Sequence, residues 1–123
     1  MKKYLVIGNP IEHSLSPQLH NHWIKENNID AVYDKMQLNE TDIERIILEV
    51  KNGKINGINV TVPYKKSVIL FLDLLTPLAN EAQSVNTIFK RDNKVVGDNT
   101  DIGGFEESLK YINYNVRSTM QVA

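Results

Sequence analysis

Three polar side chains fall within one short stretch, Gly57 to Lys65, which reads GINVTVPYK. An amide at Asn59, a hydroxyl at Thr61 and an amine at Lys65 can together hold an oxygen-rich small molecule, and an amine can also carry a proton. Ile58, Val60 and Val62 alternate with Asn59 and Thr61, the period-two pattern of a strand with one apolar and one polar face. Both polar groups then project to the same side. Pro63 cannot donate to a sheet ladder and favours the first turn of a helix, so the strand is expected to stop there and a short helix to begin near Lys65. That puts Lys65 at the rim of the sheet, where ligands of open α/β folds collect beyond the carboxyl ends of strands. Taken alone, the stretch reads more plainly as a strand with a solvated polar face.

Other polar clusters bear on the choice. Ser14 and Ser16 sit in a loop just before a helix, where hydroxyls and unpaired N–H groups at the positive helix end can hold a carboxylate. The commoner fate of such serines is a cap at Ser16 and a loop residue at Ser14. Asn86-Thr87 interrupts an otherwise apolar strand; a buried amide must find partners, so it is either a structural bridge or a ligand contact. GDNTD, from Gly97 to Asp101, reads as a turn that caps a helix rather than a calcium loop, whose spaced ligands are absent, and it leaves an acidic residue at the rim. His20 and His22, two apart on a helix, do not face together, and His13 lies in the preceding loop, so no metal site is assigned. No Gly-x-Gly-x-x-Gly follows a strand, and Gly103-Gly104 alone does not cradle a pyrophosphate, so no cofactor-binding residue is assigned either.

These residues need elements to position them. Tyr4 to Ile7 reads as a buried strand ending at Gly8-Asn9-Pro10. Ser16 is expected to cap a helix with Pro17 in its first position, running to about Asn27 with Leu19, Trp23 and Ile24 as its core stripe. Ala31 to Met36 is a second strand. Asn39 to Asp42 supplies capping groups for the clearest amphipathic helix, in which Ile43, Ile46, Ile47 and Val50 fall at i, i+3, i+4 and i+7, closed by Asn52-Gly53. The order β-α-β-α-β implies parallel strands with helices on their faces. Further on, Ser67 to Leu75 reads as helical, Thr76-Pro77 starts another short helix, Ser84 to Lys90 is a strand, and Lys94 to Gly97 pairs back across an Arg91-Asp92-Asn93 turn. A last helix is marked by Ile102, Phe105, Leu109 and Ile112. The expected fold is thus α/β, a three-layer open mixed sheet, mostly parallel, flanked by helices, with residues 1–113 as one domain and 114–123 as a tail.

Composition sets limits on partners. The 123 residues are 41% apolar, enough for one ordinary core, and 14 Lys plus Arg against 15 Asp plus Glu leave a formal charge of -1. Without a dominant charge block, nucleic acid and anionic membrane are poor partners and a small molecule is the better one. Cysteine is absent, which excludes disulfides and thiolate chemistry, and no stretch approaches the ~20 apolar residues of a membrane span. With no signal-like segment, a cytoplasmic setting is expected, and the acceptor patterns at Asn39 and Asn59 carry no consequence.

The motifs GNPIEHSLSPQLHN (Gly8 to Asn21), GINVTVPYK, SVNT (Ser84 to Thr87) and GDNTDIGG (Gly97 to Gly104), in this order and spacing, resemble the amino-terminal substrate-binding domain of shikimate dehydrogenase over almost the whole chain. One departure is Gln83-Ser84, where the family usually has Gly-Ala. The resemblance implies reversible, NADP-dependent reduction of 3-dehydroshikimate to shikimate, a step toward aromatic amino acids. It implies that Ser14 and Ser16 bind the shikimate carboxylate with Thr61 nearby, that Asn59, Asn86 and Asp101 hold ring hydroxyls, and that Lys65 is the catalytic group beside Asp101. It further implies that NADP is bound by a carboxy-terminal Rossmann domain outside this chain. The chain alone is then expected to be an inactive substrate-binding half, or else a stand-alone module for shikimate-like or quinate-like polyols.

Overall fold

The computed structural model describes residues 1–12 and 14–100. Among these, six strands form one sheet in the order β2-β1-β3-β5-β6-β4. The strands are β1 (Lys2–Gly8), β2 (Ala31–Gln37), β3 (Gly57–Val60), β4 (Leu74–Leu75), β5 (Thr87–Arg91) and β6 (Lys94–Asp98), and the helices are α1 (Ser16–Glu26), α2 (Ile43–Lys51) and α3 (Pro77–Ala82). β1 pairs parallel with β2 and β3, β4 pairs parallel with β6, and β5 pairs antiparallel with both β3 and β6. The expected mixed, mostly parallel sheet is therefore present, with β5 as the reversed strand.

Two apolar clusters lie on the two faces of this sheet. Leu5 and Ile7 of β1 pack with Ile58 and Val60 of β3 and with Ile43, Ile46, Ile47 and Val50 of α2. The intervening residues Tyr4 and Val6 turn the other way, to Ile24 of α1 and Tyr33 of β2. β1 is buried on both faces because crossover helices cover both, which is why its sequence runs apolar without alternation. All four predicted core positions of α2 are buried, and Asn39 with Asp42 forms a capping box at the 3₁₀ turn (Glu40–Asp42) that leads into it. The β5–β6 hairpin closes on Asp92 and Asn93 with φ of 51° and 63°, the left-handed pair that a two-residue turn requires.

Three local expectations fail. Ser16 does not cap α1: it is the first helical residue, Leu15 holds the cap position, and the Ser16 N–H instead donates to Ser14 Oγ at 3.3 Å. Leu19 is not core but 69% exposed, with Trp23 only partly buried, so Ile24 carries the inward stripe of α1. A short 3₁₀ helix (Ser67–Phe71) does begin near Lys65, which lies in the turn just before it, but the helix expected over 67–75 stops at Phe71 and gives way to strand β4. Sheet pairing overrides helix there: Asp73 N–H donates to the Val95 carbonyl at 2.9 Å and the Asp73 carboxylate accepts from Val95 N–H at 2.8 Å, drawing the chain alongside β6. Phe71 and Leu70 are left facing outward.

The predicted strand over 84–90 begins later, at Thr87, although Asn86 extends the ladder by donating to the Asp98 carbonyl and accepting from Val60 N–H. Thr76 caps α3 as expected, accepting from Ala79 N–H. The helix expected over 102–112 and the tail over 114–123 lie outside the described residues. Among the described residues no helix is long and apolar enough to cross a membrane.

Candidate functional site

The loop after β1, the end of β3 and the approach to β5 meet at one rim of the sheet. β1 and β3 are parallel, so their carboxyl ends coincide there; β5 is reversed, so its amino end reaches the same place. A cleft of about 280 Å³ lies at this rim, and Ser16, Asn59, Thr61, Lys65 and Asn86 all line it. Ser14 stands behind Ser16 through the hydrogen bond already described. Asp101 lies outside the described residues.

Each lining residue is held by its backbone. The register Val6↔Asn59↔Thr87 places Asn59 on the α1 face of the sheet, opposite to its apolar neighbours Ile58 and Val60. Thr61 N–H donates to the Ile7 carbonyl at 2.9 Å, which keeps the chain in line past the end of β3. Alternation therefore delivers two polar groups to one side, though Val62, two residues beyond Val60, is 65% exposed and adds nothing to the core. The Lys65 turn is tied to the next segment, its carbonyl accepting from Val85 N–H at 2.7 Å.

Side-chain hydrogen bonds run continuously beneath the cleft. Tyr33 Oη donates to Asn59 Oδ1 at 2.7 Å, Asn59 Nδ2 to Thr87 Oγ1 at 3.5 Å, and Thr87 Oγ1 to Asn86 Oδ1 at 3.0 Å. Asn86 Nδ2 then donates to Thr100 Oγ1 at 2.8 Å, while Thr100 N–H donates back to Asn86 Oδ1 at 3.0 Å. Asn86 is thus a structural bridge whose residue also lines the cleft. Within GDNTD, Asp98 is buried and accepts from the Thr76 hydroxyl at 2.6 Å and from Asn99 N–H at 2.8 Å, a structural role that locks α3 to the end of β6.

Two residues here were not singled out for the site from the sequence. Tyr33 reads there only as an apolar strand position, and His20 only as a helix residue without a metal partner. The signal for Tyr33 was its pairing with Tyr4 in parallel register, which puts it on the same face as Val6 and Asn59. His20 also lines the cleft, its ring 4.2 Å from that of Tyr33 at an interplanar angle of 82°. Burial pushes the Tyr33 phenol up, opposed by a hydrogen bond from the Ser16 hydroxyl, so it is a neutral donor at neutral pH. His22 lies apart, 3.3 Å from Glu26 on the exposed side of α1, and among the described residues no group of three His, Asp or Glu is placed to hold a metal.

Burial also lowers the His20 pKa below its ordinary 6.5. Above that value both folded and unfolded chains carry a neutral imidazole. As pH falls through it, the unfolded chain takes up a proton that the folded chain resists, so stability is lost from there down to the folded pKa. Urea denaturation at pH 7.5 and 5.5 is expected to show this loss, and His20→Gln to reduce it; an equal loss in the variant would assign it to other groups.

A second cleft, of about 310 Å³, lies between α2 and the 3₁₀ segment, lined by Leu48, Leu70 and Phe71 with the Lys51–Asp73 ion pair at 3.7 Å. It brings together none of the predicted residues. The backbone at Gly8, which ends β1, is closely covered, since a Cβ there would meet Thr61 Cγ2 at 2.5 Å.

A family model described as the shikimate dehydrogenase substrate binding domain matches residues 6–88. A shikimate dehydrogenase (NADP(+)) of Pelagibacter ubique (strain HTCC1062) is 56% identical over 117 residues, which cover 95% of this chain and 44% of that protein. Among solved structures, shikimate dehydrogenase from Aquifex aeolicus superimposes with a TM-score of 0.78 at 39% identity, over 91% of this chain and 42% of that one. Shikimate 5-dehydrogenase from Thermus thermophilus, solved in complex with shikimate, gives a TM-score of 0.79 at 30% identity, over 92% of this chain and 43% of that one. The chain spans less than half the length of these relatives. With more than half of its residues matched by the family model, this chain belongs to the shikimate dehydrogenase substrate-binding domain family.

Proposed function

We propose that the cleft binds shikimate and 3-dehydroshikimate, and that the chain is the substrate half of a cytoplasmic, NADP-dependent shikimate dehydrogenase. The observation that carries this reading is the convergence of Ser16, Asn59, Thr61, Lys65 and Asn86 on one cleft from three separated stretches of sequence. Its polar groups suit a hydroxylated ring acid. Ser16, at the amino-terminal end of α1, receives the carboxylate, with Ser14 behind it and Thr61 nearby. Asn59 and Asn86, together with Asp101, hold ring hydroxyls.

Oxidising a secondary alcohol requires the hydroxyl proton to leave, and Lys65 is the group assigned to take it, with Asp101 orienting the amine. NADP is assigned to the part of the whole protein that this chain does not span. What these residues supply is binding, orientation and proton handling.

Titration of shikimate into the chain, followed by calorimetry and by amide resonances, is the test. Weak, saturable binding with shifts at Ser14, Ser16 and Asn86 is expected from the substrate half alone. Unmoved resonances at saturating ligand would remove the reading.

A further inference from the structure

We propose that Tyr33 is a positioning residue for the ligand, its hydroxyl setting which end of the Asn59 carboxamide faces the cleft. The inference rests on the shikimate-binding reading above.

Tyr33 is held from three directions. Asn21 of α1 clamps its backbone, accepting from Tyr33 N–H at 2.9 Å and donating to the Tyr33 carbonyl at 2.6 Å. The His20 ring meets the Tyr33 ring at 4.2 Å in an edge arrangement. Pairing with Tyr4 fixes its register on the sheet. Its hydroxyl therefore has little freedom, and it reaches both Asn59 Oδ1 at 2.7 Å and the Ser16 hydroxyl.

Asn59 is read from both sides. Thr87 gives its single hydroxyl hydrogen to Asn86 Oδ1, so toward Asn59 it acts as an acceptor and calls for the Nδ2 end. Tyr33 offers a donor on the other side and calls for the Oδ1 end. Both demands agree on one orientation. Nδ2 carries two hydrogens and Thr87 takes one, which leaves the second for a ligand oxygen. Asn59 thus enters the cleft as a donor. Without the Tyr33 hydroxyl, the two faces of the amide are no longer distinguished on that side, and the donor is presented for only part of the time.

The test is a double-mutant cycle on shikimate affinity, with the unaltered chain, Tyr33→Phe, Asn59→Ala and the pair. Tyr33→Phe is expected to raise Kd by roughly three- to tenfold, the range of one neutral hydrogen bond. In the Asn59→Ala background the same substitution is expected to cost clearly less, leaving only what Tyr33 contributes through the Ser16 hydroxyl, because its main effect runs through Asn59. A purely structural tyrosine would give additive penalties, and additive penalties or an unchanged Kd would overturn the proposal.

The orientation is also read without ligand, from the side-chain ¹⁵NH₂ resonances of Asn59. They are expected to shift in Tyr33→Phe, and if they do not the proposal fails. This arm separates the two readings: if the unaltered chain binds no shikimate, the substrate assignment falls while the resonances still decide the amide. Should Tyr33→Phe not fold, 3-fluorotyrosine at position 33 keeps the shape and strengthens the donor, and unmoved Asn59 resonances there would equally overturn it.

Discussion

Replacing Lys65 by alanine in the whole protein is expected to lower kcat for shikimate oxidation by about 10²-fold or more while KM changes little, the range for loss of a proton-transferring group. The turn itself should survive the substitution, because the backbone bond from Val85 N–H to the Lys65 carbonyl is kept in alanine. Rate suffers and affinity does not. Asp101→Asn keeps shape and removes charge, so on the same reading it also lowers kcat, and the double variant is less than additive because the two groups act as a unit. If Asp101 serves only as a helix cap, asparagine replaces it at no cost and kcat stays near normal. Steady-state kinetics on the three variants, with folding checked by circular dichroism, decide. Near-normal kcat in Lys65→Ala would remove the proposed proton transfer.

The second large effect is expected at Gly8, far in sequence from the cleft residues it touches. A methyl group there would meet Thr61 Cγ2 at 2.5 Å, the Val62 carbonyl oxygen at 3.0 Å and Ile11 Cδ1 at 3.3 Å. One of these obstacles is backbone, so the strain cannot be relieved by rotamers alone. Gly8→Ala is expected to destabilise the fold by about 1–3 kcal/mol, the cost of an extra carbon in a filled core. It should also weaken shikimate binding, since the nearest obstacle is a cleft residue. Adding Thr61→Ser removes the closest methyl and should recover part of the stability in urea titrations. No recovery would place the strain against the Val62 carbonyl instead.

What could be read in advance follows from how local each cause is. α2 was legible because its four inward residues and its Asn39–Asp42 cap lie within one short segment, where periodicity and hydrogen-bond chemistry agree. The hairpin was legible because Asp92 and Asn93 tolerate left-handed backbone. The segment after Lys65 was not: a run of apolar residues is common to helix and strand, and the choice is made by Asp73 pairing with Val95, a partner distant in sequence. Leu19 was misplaced for a similar reason. It sits on α1 where that helix overhangs the cleft rather than the sheet.

At the site, Asn59 and Thr61 shared a side as strand alternation required, and Asn86 stood out as polar within an apolar stretch. Tyr33 carried no such mark, since a tyrosine in a strand is ordinary until the register shows what its hydroxyl meets. The four motifs, taken together, marked the family more sharply than any physical pattern within one of them.

The reversal of β5 bears on how the cleft comes into being. Residues through Lys65 complete the β1, β2 and β3 pairings by themselves, yet Asn86 is delivered by a hairpin that joins through Asn59↔Thr87 and Ile58↔Ile88. The grip on a ligand is therefore complete only when the hairpin is docked on β3. Any molecule held by Asn59 and Asn86 at once bridges that junction, so part of its binding free energy appears as tighter attachment of the hairpin to the rest of the domain.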